Sequence, residues 1–170
     1  MREVHYRRLD EEDRELIRSY MTQDELWERI SEDGCNKDEY TPPMHELFHW
    51  VGMYNNKDEF MGTLFLHPET MHVVNIHFNL SKKYRKLYSF LGGQAAFDYM
   101  LNCTDFEKFN TTVPLEYPDV VGFLDKLGFT REGLNRKSIS KNNIMHDQYY
   151  YGMTREEMKN KLTEFTKGEL

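Results

Sequence analysis

The stretch Met71-His72-Val73-Val74-Asn75-Ile76-His77-Phe78-Asn79-Leu80, followed at once by Ser81-Lys82-Lys83-Tyr84-Arg85-Lys86-Leu87-Tyr88-Ser89-Phe90, decides the fold. The first ten residues carry β-branched and aromatic side chains at strand spacing. Ser81 then reads as an N-cap. Beyond it, Leu87, Phe90, Leu91, Ala95 and Met100 fall on one broad face of a helix running to about Asn102. The next strand-like run is Phe109 to Leu115. A strand, a long helix and a strand make a crossover unit, so the two strands are parallel neighbours.

Working outward, Phe48 to Tyr54 and Phe60 to Leu66 are two strands joined by the polar turn Asn55-Asn56-Lys57-Asp58, a hairpin. Val4 to Leu9 alternates as a strand. Asp10 caps a helix over Glu11 to Tyr20, and Thr22-Gln23-Asp24-Glu25 reads as a capping box for a second helix that stops near Gly34. Residues 34–44 form a loop. Pro118 suits the first turn of a helix to Leu127, which Gly128 ends. Strands at about 129–138 and 145–153 follow, and Thr154-Arg155-Glu156-Glu157 is a capping box for a last helix. The expected fold is α/β (α+β): a mixed, mostly antiparallel central sheet of about seven strands with helices on both faces, in one domain spanning 1–170.

The composition is that of an ordinary globular chain, 39% hydrophobic and 30% charged. A formal net charge of −7 opposes duplex nucleic acid and favours cationic partners. The two cysteines, Cys35 and Cys103, sit in no motif and read as free thiols. The charged start, Met1 to Arg8, is unlike a signal peptide, and no apolar run approaches a membrane span. A soluble, cytoplasmic protein without membrane contact, monomer or homodimer, is expected.

Three stretches resemble the GNAT superfamily of acyl-CoA-dependent N-acyltransferases. Glu59-Phe60-Met61-Gly62-Thr63-Leu64 is similar to the second strand of that family's hairpin. Phe123-Leu124-Asp125-Lys126-Leu127-Gly128-Phe129-Thr130-Arg131-Glu132-Gly133 resembles its helix-to-strand junction. Met145 to Glu157 resembles the terminal strand of the ribosomal-protein and N-terminal acetyltransferase branch. The resemblance implies acetyl-CoA as co-substrate, no metal, and a primary amine as acceptor: a protein N-terminus, a lysine or a small amine. It further implies that the strands at 71–80 and 109–117 splay apart, and that the pantetheine arm bonds the freed backbone near Phe78 and Leu80. The pyrophosphate would then sit at the start of the following helix, among Lys82, Lys83, Arg85, Lys86, Leu87, Tyr88, Ser89 and Phe90.

The chain departs from the family pattern at that helix. Aligned on Arg85, Tyr88 and Phe90 take two positions where the family has small residues, and rings there obstruct the pyrophosphate unless they rotate into the core. Gly92-Gly93 lies one turn too late to replace them. On the later helix Tyr117 takes the place of the family's Asn, and Leu124 that of its general-acid Tyr. The rival reading is therefore a GNAT-like binding or structural module without activity, in a phage-encoded or virion-associated setting.

A general base is expected beside the splay. His72 and His77 lie on one strand, Glu116 and Asp119 near the end of its partner. Spacing of five puts the two histidines on opposite faces, and His77 is nearer the splay, so His77 and Glu116 are the catalytic candidates. A competing signal is His45-Glu46-Leu47-Phe48-His49, which on a helix would present two zinc ligands and a water-polarising carboxylate. The residues around it read instead as the entry to a strand, where His45 and His49 stand about 13 Å apart.

Overall fold

The computed structural model describes residues 3–167; Met1 and Arg2 of the charged start lie outside the described residues. The strands are β1 (Val4–Leu9), β2 (His49–Asn55), β3 (Phe60–Pro68), β4 (Val73–Leu80), β5 (Lys108–Pro114), β6 (Thr130–Lys141) and β7 (Ile144–Thr154). The helices are α1 (Arg14–Met21), α2 (Asp24–Ile30), α3 (Lys82–Cys103), α4 (Pro118–Leu127) and α5 (Arg155–Lys167). The strands form one seven-stranded sheet in the order β1-β2-β3-β4-β5-β7-β6. Every neighbouring pair is antiparallel except β4 and β5, the pair bridged by α3.

Alternation along the strands divides the core between the two faces. Val51, Met53, Leu64, Leu66, Val74, Ile76 and Phe109 pack with Phe97 and Met100 of α3 and with Met158 and Phe165 of α5. On the other face Leu9 and Trp50 pack with Ile17, Tyr20 and Met21 of α1 and Leu26 of α2. Strand β2 thus buries both of its faces, which is why it reads as a nearly continuous apolar run.

The local signals held in part. Asp10 accepts from Glu12 N at 2.9 Å and closes a capping box with Asp13, although the first turn it caps is 3₁₀. The box at Thr154 forms: Thr154 N donates to Glu157 Oε2 at 2.7 Å and Glu157 N to Thr154 Oγ1 at 3.3 Å. The box expected at Thr22 does not form. Gln23 is the N-cap of α2, and the Thr22 hydroxyl donates back at 2.8 Å to Arg18 O, a carbonyl at the end of α1 that also accepts from Thr22 N. Helix α2 ends at Ile30, before Gly34, because Ser31 turns to extended backbone. Strands β6 and β7 run on to a tight turn at Asn142-Asn143, both at positive φ (55° and 60°).

Candidate active site

Strands β4 and β5 pair only at Val73 with Lys108, Val74 with Phe109, and Asn75 with Asn110. Beyond Asn75 they part, while β4 stays paired to β3 as far as Leu80. The carbonyl of Val73 accepts from Glu69 N and the N–H of Ser81 donates to Met61 O, so odd-numbered backbone groups of β4 face β3. The carbonyl of His72 accepts from Glu107 N, so even-numbered groups face β5. Once β5 has diverged, the N–H groups of Phe78 and Leu80 point into an open gap.

That gap is a cleft of about 510 Å³ passing from one face of the sheet to the other. On one side it is walled by Phe78 and Leu80, by Arg85, Lys86 and Ser89 of α3, and by Tyr117 at the N-cap of α4 with Val120, Phe123 and Leu124 of that helix. On the other side stand His77, Thr112, Ile139 and Gln148, with Leu26, Arg29 and Ile30 of α2. Helix α2 is tied over this second mouth. Arg29 forks onto Asp119 at 2.9 Å through both carboxylate oxygens and lies 4.6 Å from the Tyr117 ring centre. Asp33 grips the β6–β7 turn through Ser140 Oγ at 2.6 Å and Asn143 N at 2.7 Å.

The structure therefore brings His77, Phe78, Leu80, Arg85, Lys86, Ser89 and Tyr117 to one cleft. Lys82, Lys83, Leu87, Tyr88, Phe90 and Glu116 do not line it. On α3 the rings turn aside. Phe90 meets Phe165 of α5 edge-on at 4.8 Å, and Tyr88 meets Tyr84 at 5.9 Å. Residues 85, 86 and 89 share the helix face toward the gap, and 88 and 90 flank it on either side. Gly92 has a packing role one turn on: a β-carbon there would stand 2.9 Å from the Phe78 ring. Glu116 opens on an adjoining recess with Glu28, Glu32 and Asp33, and pairs with His146 Nδ1 at 3.2 Å.

The first turn of α3 has no side-chain cap; the N–H of Tyr84 donates to Ser81 O at 2.9 Å, and those of Lys82 and Lys83 remain donors for an anion. Arg85 Nε donates to Leu80 O at 2.8 Å, and its other end lies 3.4 Å from Glu25 Oε1. His77 is packed about by protein on most sides yet open through the cleft. Burial, and after it the charge of His67, push its pKa down to about 4, so its imidazole is neutral at pH 7. Burial raises the Tyr117 pKa, helped by Glu116, so that phenol stays protonated.

Residues 45–48 form a turn and His49 opens β2, so the His-Glu-x-x-His segment is not a helix. His45 Nδ1 accepts from Leu47 N, while His49 Nδ1 lies 2.9 Å from Tyr99 OH and 3.2 Å from Arg8 Nη1. Among the described residues no group of three metal-ligating side chains converges.

No family model and no curated protein matches the sequence. Solved structures do. A spermidine N-acetyltransferase from Vibrio cholerae, in complex with CoA and spermine, superposes with a TM-score of 0.80 at 16% identity, over 93% of this chain and 99% of that one. A chimera of the Vibrio cholerae enzyme and hSSAT gives 0.78 at 16% identity, over 93% and 99%. The Vibrio cholerae enzyme with manganese ions gives 0.73 at 13%, over 93% and 96%. This chain has the GNAT fold.

The GNAT frame explains which parts of the cleft the sequence could not reveal. Arg29, Thr112, Ile139 and Gln148 come from four separate elements, and only Gln148 lies in a stretch that resembles the family. The one available signal for Arg29 was an Arg late in a short amphipathic helix, which is common on any surface. Among the described residues no helix is long and apolar enough to cross a membrane.

Proposed function

We propose that this GNAT-fold protein transfers an acetyl group from acetyl-CoA to a primary amine of a small aliphatic polyamine. The observation that carries the reading is the gap between β4 and β5, with the N–H groups of Phe78 and Leu80 facing into it and the uncapped start of α3 at its end. Fit to CoA is good on three counts. The free amides suit an extended amide arm added as a strand. The α3 terminus, with Arg85 and Lys86, suits a pyrophosphate. The rings of Tyr88 and Phe90 leave the channel open. A polyamine also suits the chain's net charge of −7. It matches the substrate named for the similar solved enzymes better than a protein N-terminus or lysine does.

Acetyl-CoA supplies the activated acetyl group as a thioester. The amine enters from the α2 side, beside His77. Being neutral, His77 can accept a hydrogen bond from the amine and orient it, while the ammonium proton leaves through water to solvent, since an imidazole held at about 4 is too weak a base to keep it. The amides of Phe78 and Leu80 hold the acyl carbonyl and favour charge developing on its oxygen. Leu124 has no acidic proton, so the departing thiolate draws on the hydroxyl of Tyr117, the N-cap of the same helix, or on solvent. Glu116, one recess away beside His146, acts on the approach of the amine. The setting is the reducing interior of a cell, where exposed Cys35 and Cys103 stay free.

The test is release of free thiol from acetyl-CoA in the presence of spermidine. Amine-dependent release supports transfer, and no release at millimolar amine overturns it. Leu124 favours one second reading, a CoA-binding module that does not transfer. A melting temperature that rises with CoA while no thiol appears would establish that instead.

A further inference from the structure

Outside the cleft, one cluster on the acceptor face of the sheet is used by nothing described so far. Glu69 leaves β3 at its C-terminal end. Its carboxylate accepts from Asn75 Nδ2 at 2.8 Å, from Asn110 Nδ2 at 2.9 Å and from Tyr150 OH at 3.3 Å. Asn110 Nδ2 also donates to Tyr150 OH at 2.9 Å. Burial raises the Glu69 pKa, but the hydrogen bonds from Asn75, Asn110 and Tyr150 outweigh it and hold the carboxyl below its usual value. Among the described residues no lysine or arginine pairs with it. Lys108, on the same face of β5, is taken by Glu132 at 2.7 Å.

Three neutral donors thus fix a carboxylate without neutralising it. Its side-chain donors are already engaged with one another. What remains is acceptor capacity at the carboxylate of exposed Glu69, with the Oδ1 atoms of Asn75 and of Asn110 buried and unpartnered beneath it, the latter residue only 4% exposed. An acceptor-only site calls for a cationic donor. Asn75 and Asn110 are the last pair before β4 and β5 part. Along β4, Asn75 is two residues from His77 on the same face, about 7 Å, the reach of a short aliphatic diamine. His67 lies between, with its Nε2 3.2 Å from that of His77, and Phe65 stacks near both rings at 5.6 and 5.9 Å. That aromatic wall suits the methylenes of such a chain.

We infer that Glu69, held by Asn75, Asn110 and Tyr150, binds the second ammonium of the acceptor and so makes the protein select diamines and polyamines over monoamines. This rests on the acetyl-transfer reading for its purpose, but not for its test.

The experiment is calorimetric titration of 1,4-diaminobutane and of butylamine into the protein with CoA present, for the wild type and Glu69→Gln. The expected result is diamine binding about tenfold or more tighter than monoamine binding, with Glu69→Gln abolishing the difference and leaving the monoamine unchanged. Undetectable diamine binding at millimolar concentration, or a variant that binds both amines as the wild type does or weakens both equally, would overturn it. Should Glu69→Gln melt far below the wild type, Tyr150→Phe carries the comparison: a loss of severalfold for the diamine alone supports the site, and no selective loss counts against it. Failure to transfer acetyl would remove the proposed function and still leave this titration decisive, because it reads binding.

Discussion

The Nε2 atoms of His67 and His77 lie 3.2 Å apart, with their rings near parallel at an interplanar angle of 19°. Burial lowers both pKa values, and for His77 the charge of His67 adds to it, since two imidazolium ions cannot share that spacing cheaply. A histidine whose folded pKa lies below its unfolded value makes the unfolded chain the better proton acceptor in between. Its stabilising effect is complete above about 6.5 and is lost as pH falls toward about 4, the value for His77. His49, lowered to about 4 by burial and then by Arg8, acts in the same window. The melting temperature should therefore fall from pH 6.5 to pH 4, and His77→Gln should flatten that fall. An unchanged slope in the variant, followed by circular dichroism, would contradict the assignment.

Gly62 faces the backbone of β4 so closely that a β-carbon there would stand 2.0 Å from Asn79 O. That contact cannot be relieved by a side-chain rotation. Gly62→Ala should push β3 from β4 beside Leu80, costing about 3 kcal/mol or more by denaturant unfolding. CoA affinity should fall with it, since the displaced strand carries the cleft amides.

Phe90 and Tyr88 should separate in their effects. Phe90→Ala removes the edge contact with Phe165 and should cost about 2 kcal/mol of stability. Tyr88→Ala should leave CoA affinity within about twofold, because its ring is outside the cleft. A large gain in affinity from either change would mean that the rings do obstruct the phosphates after all.

Leu124→Tyr adds a second phenol to the cleft wall that already holds Tyr117. It should raise kcat by about tenfold or more with little change in KM, if proton supply to the thiolate limits the rate. An unchanged kcat in stopped-flow thiol release would show that Tyr117 or solvent already meets that need.

The difference between what the sequence revealed and what it hid follows the range of the interactions. Strand alternation in Val73 to Leu80, the helix end at Gly128 and the box at Thr154 are local, so each could be read from a few neighbours. Thr22 misled because two partners compete for its hydroxyl, and the carbonyl of Arg18 wins. The tight turn at Asn142-Asn143 escaped because polar residues on both sides masked it. Phe78, Leu80, Arg85, Lys86 and Ser89 could be gathered on one wall because β4 and α3 are contiguous in the chain, while Lys82, Lys83, Leu87, Tyr88 and Phe90 of the same run turn elsewhere. The cluster around Glu69 was not legible: Glu69, Asn110 and Tyr150 meet only once the order β4-β5-β7 is known.

Amide hydrogen exchange at Phe78 and Leu80, with and without CoA, reports whether a cofactor arm occupies the open edge of β4. If an extended cofactor arm completes the open edge of β4, both amides should become protected at saturating CoA while Ser81, already bonded to Met61, changes little. Exchange at Phe78 and Leu80 that stays as fast with CoA as without it would contradict the account.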